Sequence, residues 1–189
     1  TAFGGNGFSP VCSLSSGLTS SCGHGTVFRL SPSGSLTTLY AFTNADDNGA
    51  VPEAGVIQGL DGNFYGTTGQ LGAVGTGAGT VFKLSPTGAL TTLHRFVGGA
   101  TDGMGPRGSL VQLADGTLYG STIGGGANFV GTIFKLAPNG SAFAIAHAFE
   151  STDFSTLSNL QLLLASDGNI YGTLIASSSA SGGALPPVG

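Results

Sequence analysis

Gly79-Thr80-Val81-Phe82-Lys83-Leu84-Ser85-Pro86-Thr87-Gly88 decides the reading of this chain, because it is written three times. The earlier copy is GTVFRLSPSG over 25–34, and the later one is GTIFKLAPNG over 131–140. A second phrase keeps step with it: DGNFYGTT at 61–68, DGTLYGST at 115–122 and DGNIYGTL at 167–174. Both phrases recur after 54 and then 52 residues. Two independent phrases sharing one period define a tandem repeat.

Working outward, each copy resolves into four short strands. Thr26–Leu30 alternates, with Phe28 and Leu30 on one side and Val27 and Arg29 on the other. Ser31-Pro32-Ser33-Gly34 is a turn, since Pro presets one φ and Gly supplies a positive one. Leu36–Phe42 is a β-branched and aromatic return strand. A polar loop over 43–54 leads to a strand at 56–60, and Asp61-Gly62 predicts a type I′ hairpin into a strand at 63–68. The same reading gives 80–84, 90–96, 109–113 and 117–122, and then 132–136, 142–149, 160–165 and 169–174. No segment shows helical periodicity. The expected units are an irregular segment at 1–24, repeats at 25–68, 69–122 and 123–174, and a tail at 175–189, in one domain overall. Strands apolar on both faces require each sheet to be covered on both sides. The fold expected is all-β: a β-propeller-like array of three four-stranded antiparallel units.

The 189 residues suffice for a real core, and 35 glycines with 40% hydrophobic residues suit short strands joined by tight turns. Only 7% of residues are charged, against roughly 25% in an average soluble domain. Five Lys and Arg and a net charge of −4 exclude a nucleic-acid binder. No apolar run approaches the roughly 20 residues of a membrane-spanning helix. A surface built mainly from Ser, Thr, Gly, Ala and Asn suits a protein covered by copies of itself or by glycan; a charge-poor secreted bacterial β-protein is the alternative.

Cys12 and Cys22 lie in one Ser/Gly-rich segment, where a local disulfide is favoured over a metal site with His24 as the only neighbouring ligand. A disulfide places the chain in an oxidising, extracellular setting. Thr1 in place of Met fits removal of a signal peptide or trimming.

The phrases at 25–174 resemble the GloVer tandem repeat of secreted bacterial proteins: a DGNFYGTT phrase, a glycine-rich loop, GTVFKLSPTG, LTTLHxF, and then a DG- and Pro-containing loop. Their wording is also similar to quinoprotein-type propeller blades, without the tryptophan those blades carry. The GloVer resemblance implies a secreted or surface-anchored propeller-like array and no catalytic residues. The third unit departs from the pattern over 150–159. In the quinoprotein register the chain opens with a blade lacking its first strand and ends on a surplus strand, Asn169-Ile170-Tyr171-Gly172-Thr173-Leu174. That strand is expected to complete the open blade of another subunit, giving a two-chain ring or a filament. The alternative is a stretch of a longer array.

Candidate chemistry is sparse. Asp61, Asp115 and Asp167 read as turn residues in preference to a carboxylate ring. Tyr40, His94 and His147 share one position, which reads as a core or interface aromatic in preference to a metal ligand. Arg29, Lys83 and Lys135 share another, read as solvated or inter-blade cations with an anion site as the alternative. Asp46, Asp47, Asn48 and Glu53 form an oxygen-rich loop that is a weak calcium candidate. Asn139 begins a glycosylation sequon. No other cofactor is expected. The function expected is that of a non-catalytic, secreted or surface-bound structural protein whose partner is itself. The alternative is a monomeric carbohydrate-binding or carbohydrate-active propeller.

Overall fold

The structure, a computed structural model, describes residues 11–13, 19–21, 24–43, 48–69, 78–150 and 157–176. It is all-β, with no helix among the described residues. Where 1–24 reads as irregular, β1 (Val11–Ser13) pairs antiparallel with β2 (Thr19–Ser21). β3 (Thr26–Leu30) and β4 (Leu36–Ala41) form a second hairpin. A four-stranded sheet follows from β5 (Ile57–Gln58), β6 (Phe64–Thr68), β7 (Thr80–Leu84) and β8 (Leu90–Arg95).

The next sheet takes β9 (Gly103–Pro106), β10 (Val111–Gln112), β11 (Leu118–Gly125), β12 (Thr132–Leu136) and β13 (Ala144–Ala148), in the order β10-β11-β12-β13 with β9 also on β11. The last hairpin is β14 (Leu157–Leu164) with β15 (Ile170–Ala176). Each period supplies the four strands that the phrases predict, with β9 as a fifth in the second, but they are shared out at a different phase. The strand pair at the end of one sequence repeat bonds to the pair at the start of the next: β6 pairs β7, and β11 pairs β12. Two complete sheets therefore lie between two half-sheets, β3–β4 and β14–β15. The surplus element is accordingly a hairpin and not the single strand 169–174, because β14 reaches back to Leu157 to pair with β15.

The tight turns share one geometry, and it corrects the type I′ expectation. Gly62 N–H donates to Gly59 O at 2.9 Å, and Gly59 N–H donates to Asn63 O at 2.8 Å. Gly62 has φ 78°, whereas Asp61 is not among the residues with positive φ. This is a type I turn closed by a left-handed glycine and a bulge, the favoured three-residue hairpin loop. Asp61 serves it by accepting Asn63 N–H at 3.1 Å. The Pro-containing turns do the same, with Gly34 at φ 84° and Gly88 at φ 95°. A second unexpected strand, β9, has no apolar alternation. It forms because β11 runs on past the YGST phrase and offers a ladder to Met104 and Pro106.

The sheets stack through their faces. Val27 and Phe42 of the β3–β4 layer pack on Phe82 and Leu84. The opposite face of that sheet presents Tyr65, Val81 and Phe96 to Leu110, Leu118, Phe134 and Leu136. Phe82, Leu84, Phe134 and Leu136 are fully buried, the burial expected for sheets covered on both sides. Each such side chain contributes roughly 1.5–3 kcal/mol of transfer free energy.

Candidate functional site

Stacking repeats one set of contacts at each sheet boundary. The aromatic ring one residue before the end of the return strand meets the phenylalanine two residues further on edge-on: Tyr40 on Phe42 at 5.0 Å, His94 on Phe96 at 4.7 Å and His147 on Phe149 at 4.9 Å. The phenylalanine in turn receives one from the next sheet, Phe42 meeting Phe82 at 5.5 Å and Phe96 meeting Phe134 at 5.1 Å. Phe143 completes the second boundary by stacking on His94 at 3.7 Å and 6°. At Tyr40 and His94 the shared position is thus an inter-sheet aromatic, as the sequence suggests, whereas His147 faces the open third boundary.

Beneath each incoming phenylalanine lies the glycine of the YG dipeptide, paired across the strands as Gly66 with Phe82 and Gly120 with Phe134. A Cβ on Gly66 would meet Phe82 Cζ at 2.5 Å. Only glycine lets the ring lie flat on the strand.

At the third boundary the pattern stops halfway. Leu160 is buried against the preceding sheet, and Ser121 Oγ donates to Leu160 O at 2.8 Å, so β14 is seated there. The counterparts of Phe134, Leu136 and Phe143 have no residues in β14–β15. Their place is a cavity of about 360 Å³, lined by Ile133, His147 and Phe149 on one side and Leu160, Leu162, Ile170 and Gly172 on the other. At the opposite end of the stack the counterpart residues are Phe28, Leu30 and Leu36. Leu30 and Leu36 are each 61% exposed, whereas Leu84 and Leu136, the counterparts of Leu30, are 0% exposed, and Leu90 and Phe143, the counterparts of Leu36, are half-buried.

Electrostatics follow the same period. Lys83 Nζ contacts Asp61 Oδ2 at 2.7 Å, and Tyr65 OH donates to the same oxygen at 2.8 Å. Lys83 holds the Asp61 carboxyl well below the usual carboxylate range, and Asp61 raises Lys83 in return. Burial, reinforced by Asp61, raises the Tyr65 phenol. In the last hairpin Tyr171 OH donates to Asp167 Oδ2 at 2.9 Å, and the Asn169 amide holds Asp167 low. Among the described residues no cation stands beside Asp167. Asp115 is lowered by the backbone N–H of Thr117.

The other expected residues disperse. Asn48 donates to Tyr40 OH at 3.0 Å and accepts from Thr92 at 3.3 Å, bridging two sheets. Glu53 Oε2 faces Arg107 Nε at 3.0 Å. Asp46 and Asp47 lie outside the described residues, as do Cys22 and the side chain of Cys12. No cluster of three His, Cys, Asp or Glu occurs among the described residues. Asn139 is exposed, and its Oδ1 accepts both the N–H and the hydroxyl of Ser141. Sequence reading passed over Asp102. It is 6% exposed and accepts Val97 N–H and Gly103 N–H, each at 2.8 Å, with His94 Nε2 at 3.1 Å. The available signal was the lone acid in the counterpart of the 44–53 loop.

Sheets built in step with an internal sequence period define an all-β tandem-repeat protein. Residues 14–186 match the family described as the Gloeobacter/Verrucomicrobia repeat, and the chain belongs to that family. No curated protein matches the chain. No helix among the described residues is long and apolar enough to cross a membrane.

Proposed function

We propose that this chain is a non-catalytic structural protein that acts outside the cell and assembles with copies of itself by completing its half-sheets. The observation that carries the reading is the pair of half-sheets: among the described strands β3 pairs with β4 alone and β15 with β14 alone, so residues 27–30 of β3 and the outer side of β15 are open to a further strand. Unsatisfied backbone edges are templates for strand addition. Hairpin β14–β15 corresponds to the first two strands of a complete sheet and β3–β4 to the last two. One of each makes a four-stranded sheet of the kind formed by β5–β8. Such a joint is heterologous, so it closes into a ring or runs on as a filament. Two chains closing on each other would hold six four-stranded sheets, within the usual range of propellers. The charge-poor surface and the Cys12/Cys22 pair support an extracellular setting.

Multi-angle light scattering of the purified chain across a concentration series tests the reading. The expected result is species at multiples of the 18.5 kDa chain. A mass of one chain at every concentration overturns it.

A further inference from the structure

We propose that the cavity beside β14–β15 is a socket for the β3–β4 hairpin of a second copy of this chain. Phe28 lies over Gly172, Leu30 and Leu36 fill the space against His147 and Phe149, and Arg29 reaches Asp167. This rests on the self-assembly reading and fixes its partner, register and contacts.

The argument is internal, because the chain contains the same joint twice in finished form. In both complete sheets the glycine of the YG dipeptide sits opposite the phenylalanine of the GT-x-F phrase. Gly172 occupies that glycine's place and Phe28 that phenylalanine's. Carrying over the pairs Phe64↔Leu84, Tyr65↔Lys83, Gly66↔Phe82 and Thr67↔Val81 gives the joint its register. Ile170 meets Leu30, Tyr171 meets Arg29, Gly172 meets Phe28 and Thr173 meets Val27. Phe28 then reaches Phe149 as Phe82 reaches Phe42 and Phe134 reaches Phe96. Leu36 takes the place of Phe143, which stacks on His94 where the last boundary offers His147.

Exposure points to the same joint from both sides. Leu30 and Leu36, together with Leu163 and Tyr171, are large apolar side chains in solvent. Their repeat counterparts include Leu84, Leu136 and Tyr65, all at 0%. The joint covers the first two directly. It also sets the β15 face carrying Tyr171 against the second copy's next sheet. Contiguous exposed apolar surface of this kind marks an interaction site.

Charge agrees. The Asp61–Tyr65 pair is completed by Lys83, whereas the Asp167–Tyr171 pair has the same hydrogen bond and no cation among the described residues. Arg29 stands at the Lys83 position and supplies it, with a guanidinium suited to a carboxylate.

Gly172 provides the test, since a Cβ there is snug within one chain and clashes only in the assembled state. A Cβ there meets nothing nearer than 3.3 Å within one chain, from Gln161 O and Leu162 Cδ2. Under a phenylalanine it meets the ring as it would at Gly66, where the distance is 2.5 Å. Light scattering and thermal unfolding are measured on the full chain, on Gly172→Ala, and on Gly172→Ala combined with Phe28→Leu, which makes room for the methyl. Below the parent's assembly midpoint, where no second copy stabilises either chain, Gly172→Ala is expected to unfold within about 2 °C of the parent, a surface-sized effect. Its assembly midpoint rises at least tenfold in concentration, and the double variant recovers most of that loss. An assembled parent whose assembly Gly172→Ala leaves unchanged overturns this joint while sparing self-assembly. So does a Gly172→Ala defect that Phe28→Leu does not relieve. A parent that stays a single chain overturns both readings.

Discussion

Gly120→Ala probes the packing rule on which the account depends. The added Cβ would lie 2.6 Å from Leu110 Cδ2 and closer still to Phe134 Cζ. Phe134 is 0% and Leu110 1% exposed, so neither side chain has open space to move into. Overpacking a filled core costs about 1–3 kcal/mol. Replacing glycine returns about 0.4–1 kcal/mol through the unfolded chain. The net loss therefore centres near about 1.3 kcal/mol, which lowers the melting temperature by roughly 3–5 °C for a chain of this length. Thermal unfolding followed by circular dichroism at fixed protein concentration reads this. Phe134→Leu in the same chain should recover part of the loss, because contacting sites are not additive. A Gly120→Ala variant melting at or above the parent would refute the rule that the ring needs bare backbone beneath it.

Three further outcomes follow from the same geometry. Asp102→Ala removes the acceptor of the part-buried Val97 N–H and strands the buried N–H of Gly103. At about 1–3 kcal/mol for the stranded buried group, a fall in urea unfolding free energy of at least about 1 kcal/mol is expected. Asp61 is held below its ordinary value by Lys83, so its contribution is fully present above the unfolded pKa of about 4 and is lost as pH falls through the lower folded value. The difference in unfolding free energy between the parent and Asp61→Asn should be flat from about pH 5 to 8 and shrink below about pH 4. It should amount to about half a kcal/mol, since both partners are about one-third exposed. Calcium should leave the melting temperature unchanged at millimolar concentration, because Asn48 and Glu53 are committed to Tyr40, Thr92 and Arg107. A rise with calcium concentration would show that the folded chain binds the ion.

Local structure was legible wherever the chain carries its own signal. Thr26–Leu30, Thr80–Leu84 and Thr132–Leu136 are strands as the alternation of their apolar residues requires, and Pro32 and Pro86 mark turns where expected. The aromatic role of Tyr40, His94 and His147 followed from a residue set that suits packing and no single metal. The Asp61-Gly62 turn was misjudged because Asp-Gly serves two hairpin types. Which forms depends on the loop length set by the pairing of Ile57 and Gln58. β9 was invisible because Gly103 and Gly105 carry no pattern, and its partner is the extension of β11. The phase of the sheets could not be read from a period, since a repeat has no intrinsic beginning. Only the pairing of β6 with β7 and of β11 with β12 shows where one sheet ends. With that phase known, the exposed Leu30 and Leu36 and the space beside His147 become parts of one interface.

Electron cryo-microscopy of the assembled particle tests the central claim most directly. The account predicts that every sheet in the particle is four-stranded at its core, with the hairpin at 157–176 of one chain bonded through β15 to β3 of another. Gly172 should lie beneath Phe28 at each junction. Particles held together by any other surface, with β3 and β15 left as bare edges, would contradict it.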